Sequence, residues 1–157
     1  TLGTMDGANI EIVEEAGADN AFIFGMSSDE VIRLQHEGSY DPWEIYNSNQ
    51  EIRRVVMQLI NGFYSPENPE LFREIYDSLL NGGGEPADQY FILRDLPSYI
   101  EAQARVDKEF RNAGEWAKKT LINTANAGKF SSDRTIEEYA QEIWHLKKVK
   151  VRIPGEE

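Results

Sequence analysis

The stretch TLGTMDGANIEIVEEAGADNAFIFG, residues 1–25, carries strand and helix patterns in close succession. Residues 1–5 combine two threonines with apolar neighbours and end at a turn-forming Asp-Gly pair, which predicts a strand end. From Ala8 the apolar side chains recur at helical spacing, and Gly17 is placed to end that helix in a left-handed conformation. Residues 21–24 form an apolar run typical of a strand buried on both faces. Strand, helix and strand in this order indicate an α/β fold.

The chain beyond this unit is patterned mainly for helices, so we expect the α/β domain to be helix-rich. Capping boxes of the type Ser-x-x-Glu are predicted at Ser27 and Ser48, Gly38 is predicted to end the first of these helices, and Asp41 precedes a proline at a first helical position. Another helix is predicted after Asn68. The side chains expected to face the core are Ile52, Val55, Val56, Leu59, Ile60, Phe72, Ile75 and Leu79.

The second half of the chain combines one predicted strand with further helices. The aromatic and branched residues of 90–95 predict a short strand, and Pro97 is expected to begin a long helical stretch. Asn112 and Glu115 predict a cap that divides this stretch near Gly114, and Gly128 is expected to end its second part. The last helix is expected to be capped around Ser132 or Asp133 and to bury Ile136, Tyr139, Ala140 and Ile143.

The composition disfavours several classes of function. The 157 residues include 28 acidic and 16 basic side chains, a net charge of −12, whereas a nucleic-acid partner would require a basic patch. No apolar run reaches the roughly 18 residues of a membrane span, and the first residues predict no signal peptide. Cysteine is absent, which excludes disulfides, thiolate nucleophiles and cysteine-ligated zinc. We therefore expect no nucleic-acid partner, no membrane partner and a cytoplasmic location.

The histidines and clustered glycines favour structural roles over chemistry. His36 and His145 both stand near predicted helix ends, where capping or packing is the favoured role, and no third ligand is spaced with them for a metal. Glycines 82–84 follow a helix, whereas a phosphate cradle follows a strand and opens a helix. A flexible connection is the favoured interpretation of these glycines.

Carboxylates, serines and aromatic rings give the remaining candidate sites. An acidic cluster of Asp6, Glu11, Glu14 and Glu15 could hold paired carboxylates or a hard cation. Glu14 and Glu15 are nevertheless expected to be solvated, and Asp6 and Asn9 to cap the first helix. For Ser131, Ser132, Asp133 and Arg134 the favoured role is a cap with a salt bridge, because no histidine is placed to activate a serine. Five aromatic residues could stack on sugars but favour core packing: Trp43, Tyr46, Tyr64, Trp116 and Trp144.

The candidates taken from the residues alone form no complete catalytic set. We therefore predict no catalytic residue, no cofactor ligand and no metal ligand within this chain.

Four segments of the chain resemble the α-glucan phosphorylases, the family of glycogen, starch and maltodextrin phosphorylases. They are TLGTMDGANIEIVEEAGADNAFIFGM at residues 1–26, NGFYSP at 61–66, Leu71-Phe72, and GKFSSDRTIEEYAQEIW at 128–144. The segments occur in the family's order, so the resemblance covers nearly the whole chain.

The resemblance implies a fold, a reaction and a cofactor. It implies that residues 1–145 belong to the Rossmann-like C-terminal domain of a two-domain glycosyltransferase of the GT-B type, followed by a tail at 146–157. Members of the family transfer a glucosyl unit from α-1,4-glucan to inorganic phosphate, giving glucose 1-phosphate. Pyridoxal phosphate, held by a lysine as a Schiff base, supplies its phosphate group as the acid–base partner.

The resemblance also implies which residues lack a catalytic role. The cofactor lysine of the family has no counterpart at a matching position, and Lys108, Lys118, Lys119 and Lys129 are not expected to replace it. The matching residues Asp6, Gly7, Ala8 and Asn9 are expected to shape the turn and helix that back the cofactor site. The chain is accordingly expected to be a C-terminal fragment, inactive alone, whose partners are the upstream part of the same protein, the glucan and phosphate.

Two alternatives remain open at the level of the sequence. One is a free-standing interaction or regulatory module without catalysis. The other is a related glycosyltransferase with a nucleotide-sugar donor, against which the DGANIE and GKFSSDRTI matches count. An unpaired sheet edge would also favour association into a homo-oligomer.

Overall fold

A computed structural model describes residues 1–147 and 149 and contains a small parallel sheet with a larger set of helices. The strands are β1 (Leu2–Thr4) and β2 (Phe22–Phe24), and the helices are α1 (Ala8–Ala16), α2 (Ser28–Glu37), α3 (Pro42–Ser48), α4 (Gln50–Met57), α5 (Arg73–Leu80), α6 (Ile92–Phe110), α7 (Ala113–Ala125) and α8 (Ser132–Glu138). Short 3₁₀ turns cover Ala18–Asn20, Pro69–Phe72 and Ala127–Phe130, and a π-helical turn, Tyr139–Ile143, continues α8. Most of the predicted tail, residues 146–157, lies outside the described residues.

The first 25 residues form the predicted strand–helix–strand unit. β1 and β2 pair in parallel, with Leu2 opposite Phe22, and α1 connects them. Gly17 ends α1 at a positive φ of 84°, but its ψ of 145° is extended rather than left-handed helical. Phe22 is buried while Ile23 and Phe24 are only half-buried, so β2 is less enclosed than predicted. The α/β class is confirmed, with helix as its dominant component.

The main hydrophobic core lies between α3, α4, α5 and α6. Its buried side chains are Tyr46, Ile52, Val56, Tyr76, Leu80 and Leu93. Leu59, Ile60 and Leu79 pack against this cluster as predicted, whereas Val55 and Ile75 are 41% and 50% exposed. On α5 the buried side chains are Tyr76 and Leu80, so the prediction that Ile75 faces the core is wrong.

The predicted start and end of α2 are confirmed. The Glu30 backbone N–H donates to Ser27 Oγ at 3.3 Å, and the Ser27 N–H donates to Glu30 Oε2 at 2.8 Å, which completes the capping box. Gly38, with φ 58° and ψ 24°, ends the helix in the left-handed conformation.

The helices α3 and α4 each begin at a side-chain cap. Asp41 caps α3 as predicted, accepting from the Trp43 N–H at 2.9 Å. The capping box predicted at Ser48 is wrong, because Asn49 caps α4 and accepts from two backbone N–H groups. The Ser48 hydroxyl donates instead to the Glu44 carbonyl inside α3. The chain passes directly from α3 to α4, so the residue between them takes the cap position.

The predicted strand at residues 90–95 is wrong, because α6 begins at Ile92. The carboxylate of Asp88, only 3% exposed, accepts from the N–H groups of Ile92 and Leu93, each at 2.8 Å, and from the Tyr40 hydroxyl at 2.5 Å. These hydrogen bonds satisfy the free donors of a helix start and outweigh the strand preference of the aromatic and branched residues. Pro97 consequently lies inside α6 rather than at its beginning.

The last helices agree with the predictions in position but less in burial. Asn112 caps α7 as predicted, and the helix ends at Ala125, before Gly128. α8 begins at Ser132 and follows Ser131, which makes no side-chain capping hydrogen bond, so the cap predicted at Ser132 or Asp133 is wrong. The face predicted to be buried is open, since Ile136, Tyr139 and Ile143 are 56%, 45% and 61% exposed. Among the described residues, little packs over that face.

The Asp88 cap can be tested by substitution. Asp88→Ala removes three hydrogen bonds and leaves alanine at a φ of 46°, so we expect the free energy of unfolding to fall by about 2 to 4 kcal/mol. Asp88→Asn retains an acceptor and tolerates positive φ, so its loss should be smaller. Urea denaturation of both variants measures the difference. Asp107→Ala, which removes an exposed ion pair with Arg111, is the control, and an equal loss in that variant would contradict the assignment.

Candidate functional site at the carboxyl ends of the strands

The two strands end side by side, because they are parallel and Thr4 pairs with Phe24. In open α/β sheets ligands bind beyond the carboxyl ends of the strands, so this end of the sheet is the candidate site. We call it the carboxyl edge and define it by the residues that meet there: Thr4, Asp6, Asn9, Gly25, Met26, Asp95 and Ser98.

The turn after β1 is held by side chains that reach back to the strand. Thr4 Oγ1 donates to Asp6 Oδ1 at 3.0 Å, and Asn9 Nδ2 donates to the Thr4 carbonyl at 2.9 Å. The expectation that Asp6 and Asn9 cap α1 is therefore wrong, since no side chain caps this helix. Gly7, at φ 49° and ψ −136°, turns the chain so sharply that both side chains face the strand instead. These residues do shape the turn and the helix start.

The Asn9 bridge explains a glycine inside β1. A Cβ on Gly3 would lie 2.6 Å from Asn9 Nδ2, closer than two such atoms approach. Gly3 therefore allows the Asn9 side chain to cross the strand. The sequence analysis missed this role, although a glycine within a strand is a recognised sign of a close approach.

The turn after β2 is held by α6. The Gly25 N–H donates to Ser98 Oγ at 2.9 Å, and the Met26 N–H donates to Asp95 Oδ1 at 3.0 Å. Gly25 has a φ of 81°, and a Cβ there would lie 2.7 Å from Asp95 Oδ2. Sequence reasoning missed Asp95 and Ser98, because it assigned the first to a strand and gave the second no role.

The carboxyl edge is acidic and carries no cation of its own. Burial raises the pKa of the Asp95 carboxyl above its usual range, although the hydrogen bond from Met26 and the charge of Arg94 oppose the shift. Asp6 is exposed, and the defining residues include no lysine or arginine. The edge can thus hold loops and accept hydrogen bonds, and the positive charge of the adjoining Arg94 acts on the Asp95 carboxyl.

The lysines near the sheet lie at the opposite end of the strands. Lys119 contacts the Asp19 carbonyl and lies 5.8 Å from the ring of Phe22, the first residue of β2. Lys129 pairs with Glu15 at 2.8 Å, near the end of α1. Lys108 and Lys118 are exposed on α6 and α7. None of these four is placed to hold a Schiff base at the carboxyl edge, so these residues do not fit the cofactor that the family resemblance implies.

The other candidates stay apart from the carboxyl edge. His36 is exposed in the last turn of α2, and the His145 ring lies 3.0 Å from the Gln141 carbonyl, as a cap would. Arg134 forms the predicted salt bridge, but with Glu138 at 2.7 Å. Within residues 1–147 and 149 there is no group of three histidine or acidic side chains arranged to hold a metal.

The acidic cluster lies largely on the surface, and the glycine run connects two helical segments. Glu14 and Glu15 are exposed as predicted. Glycines 82–84 join α5 to the segment before α6 and open no helix, as predicted. The predicted flexible connection is instead closely packed at Gly82. A Cβ on Gly82 would lie 2.1 Å from the Glu85 carbonyl oxygen.

The aromatic candidates divide into packed and exposed rings. Tyr46 is buried in the core, and Trp116 stacks on Phe22 with ring centroids 6.2 Å apart, as core packing requires. The same expectation is wrong for Trp43, Tyr64 and Trp144, which are 37%, 55% and 54% exposed. Helical spacing predicts which residues share a helix face, but it does not show whether other residues pack over that face.

The parallel strand–helix–strand unit, backed by helices, defines a helix-rich α/β protein. The family model described as carbohydrate phosphorylase matches residues 1–146. The chain belongs to the carbohydrate phosphorylase family.

Several relatives are glycogen phosphorylases. The chain is 45% identical over 154 residues to the brain form of Mus musculus, 44% over 153 residues to the enzyme of Synechocystis, and 46% over 147 residues to that of Bacillus subtilis. These alignments cover 98%, 98% and 94% of this chain but only 18%, 17% and 18% of the relatives. The chain thus spans less than a fifth of their length. Within the described part of the chain, no helix combines the length and apolarity of a membrane span.

The close approach at Gly25 gives a test of the carboxyl edge. Gly25→Ala should lower the free energy of unfolding by about 2 kcal/mol or more, because it adds positive-φ strain and a clash with Asp95. Gly38→Ala is the matched control, since Gly38 also has positive φ but has no atom within 4 Å of its added Cβ. Denaturation curves of the two variants isolate the clash. Equal losses of unfolding free energy in the two variants would show that the added Cβ at Gly25 does not clash with Asp95.

The raised pKa of Asp95 gives a pH dependence. An acid whose pKa is higher in the folded state stabilises the fold below its unfolded pKa of about 3.9, and this contribution is lost as the pH rises through the folded pKa. The stability of the chain relative to Asp95→Asn should therefore fall with rising pH in that window. Urea unfolding at a series of pH values measures it. Ser98→Ala has no titrating group of its own and should show a constant difference, and a constant difference for Asp95→Asn would contradict the shift.

Proposed function

We propose that this chain forms part of the Rossmann-like C-terminal domain of a two-domain α-glucan phosphorylase of the GT-B type. The complete polypeptide would transfer glucosyl units from α-1,4-glucan to inorganic phosphate and release glucose 1-phosphate. The observation that supports this proposal is the family match over residues 1–146 together with 44–46% identity to the three glycogen phosphorylases named above.

Within that enzyme, the residues of this chain would have a supporting role. Asp6, Gly7, Ala8 and Asn9 would form the turn and helix behind the cofactor site, with the hydrogen bond from Asn9 to Thr4 fixing the turn. Asp95 and Ser98 would hold the neighbouring loop through two backbone N–H groups. We assign no catalytic, cofactor-binding or metal-binding residue to the chain.

The cofactor and the charged groups would come from other parts of the polypeptide. Pyridoxal phosphate, when bound, supplies a phosphate group for acid–base chemistry in this family. The carboxyl edge is acidic, and the nearby Lys119 and Lys129 are engaged at the other end of the strands. We propose that the rest of the phosphorylase provides the lysine and the phosphate-binding cations, and that this chain alone is inactive.

The proposed partners follow from the same reaction. They are α-1,4-glucan, inorganic phosphate and the remaining phosphorylase polypeptide, with a cytoplasmic location and no nucleic-acid or membrane partner. The two-stranded sheet and the open face of α8 offer surfaces for that polypeptide or for a second copy.

Segment replacement tests this function in an intact enzyme. Replacing the matching residues of the Bacillus subtilis relative with those of this chain should give a chimera that releases glucose 1-phosphate from glucan and phosphate. The isolated 157-residue chain, given pyridoxal phosphate, glucan and phosphate, should release none. Coupled assay of glucose 1-phosphate measures both.

Two controls make the outcome decisive. The same segment carrying Gly25→Ala should reduce the yield of folded chimera, because the carboxyl edge is then distorted. A chimera that folds and yet transfers glucose only from a nucleotide sugar would favour the alternative glycosyltransferase. A folded chimera with no activity would favour the non-enzymatic module, and sustained turnover by the isolated chain would refute the supporting role.

A further inference from the structure

A groove of about 800 Å³ lies between the end of α2, the start of α3 and the segment that precedes α6. Its walls include the rings of Tyr40, Tyr90 and Phe91 and the polar side chains of Gln35, Glu85 and Gln89. The groove shares no lining residue with the carboxyl edge, and its volume is within the range of small-molecule pockets. No role in the proposed reaction has been assigned to these residues.

The walls of the groove are held together by contacts within the chain. Asp88 and Phe91 both adopt positive φ, 46° and 56°, which non-glycine residues rarely do. Asp88 is buried and accepts the Tyr40 hydroxyl at 2.5 Å, and the Tyr40 and Phe91 rings meet edge to face at 4.9 Å. Backbone strain of this kind clusters at ligand sites, where surrounding contacts maintain it.

The charges of the lining favour a ligand that carries no negative charge. The lining contains no lysine, arginine or histidine, which disfavours phosphate and other anions. The Asp88 carboxylate is occupied by three donors, so Glu85 is the remaining acidic group. Gln35 and Gln89 are exposed and can both donate and accept hydrogen bonds.

Tyr90 gives the groove an apolar surface with a polar tip. Its side chain is 74% exposed, although it lies beside the buried Phe91. An open ring next to amide groups matches a molecule with apolar faces and many hydroxyls, which is the chemistry of a sugar ring. A neutral saccharide therefore satisfies the aromatic, amide and charge properties of the lining together.

We propose that this groove, between Tyr40 and Tyr90, is an auxiliary binding site for a segment of α-1,4-glucan. The choice of α-1,4-glucan among neutral saccharides rests on the proposed function, in which this polymer is the substrate. A second attachment point would keep the polymer near the enzyme while its end reacts elsewhere, because it raises the effective concentration of that end.

The isolated 157-residue chain is the appropriate material, because it is proposed to have no active site that would bind glucan. Titration with maltoheptaose, followed by amide chemical shifts and calorimetry, should show saturable binding with a Kd of about 1 mM or tighter and shifts at Gly38, Gln89 and Tyr90. Tyr90→Ala should weaken the binding about tenfold, because it removes one aromatic contact. The Tyr90 side chain is mostly exposed and is not part of the core cluster, so the variant should remain folded.

Phe63→Ala is the matched control. Phe63 is 63% exposed, pairs with Tyr64 at 5.0 Å and does not line the groove, so this variant should bind maltoheptaose as the unmodified chain does. Absence of saturable binding up to about 10 mM, or a loss in Phe63→Ala equal to that in Tyr90→Ala, would overturn the proposal. Equal binding of a β-1,4-linked glucan of the same length would overturn the assignment to α-glucan.

The segment-replacement chimera separates this proposal from the proposed function. An active chimera combined with no glucan binding by the isolated chain would overturn only the auxiliary site. Binding by the isolated chain combined with a folded but inactive chimera would support the groove as a saccharide site and refute the phosphorylase function.

Discussion

The buried carboxylate of Asp88 is the interaction on which most of this structure depends. It accepts the first free N–H groups of α6 and thereby determines where a 19-residue helix begins. That starting point places Leu93 in the main core and Asp95 and Ser98 beside the loop after β2. The same carboxylate accepts the Tyr40 hydroxyl, and burial together with this hydrogen bond raises the pKa of the Tyr40 phenol. One acidic side chain therefore connects the core, the carboxyl edge and the groove.

The carboxyl edge is held together by its own polar side chains and the backbone. Its polar side chains bind one another and the backbone: Asn9 holds β1, and Asp95 and Ser98 hold the loop after β2. Two glycines, Gly3 and Gly25, leave the space that these side chains need. Because these polar groups hydrogen-bond one another, their positions are fixed relative to the two strands. Fixed supporting residues keep reacting groups in position.

Local patterns predicted most elements of the first 38 residues, because their structure depends on neighbours in sequence. The parallel strands, α1, the Ser27 capping box and the Gly38 helix end all rest on contacts within a few residues or on one short crossover. The candidate site was predicted only in part. Asp6 and Asn9 were recognised as turn residues, but Asp95 and Ser98 were not, since they meet the loop from about 70 residues away in sequence.

The sequence by itself determined the α/β class, the absence of cysteine chemistry and most helix starts, because spacing, caps and composition are local properties. The family was recognised from the resemblance of whole segments rather than from these patterns. Tertiary structure alone decided that residues 90–95 are helical, since the deciding carboxylate hydrogen bonds require Asp88 to be buried beside Tyr40. It also decided which side of α5 faces the core and that Ile136 and Tyr139 are exposed. Burial depends on what packs against a face, and an amphipathic pattern describes only the face itself.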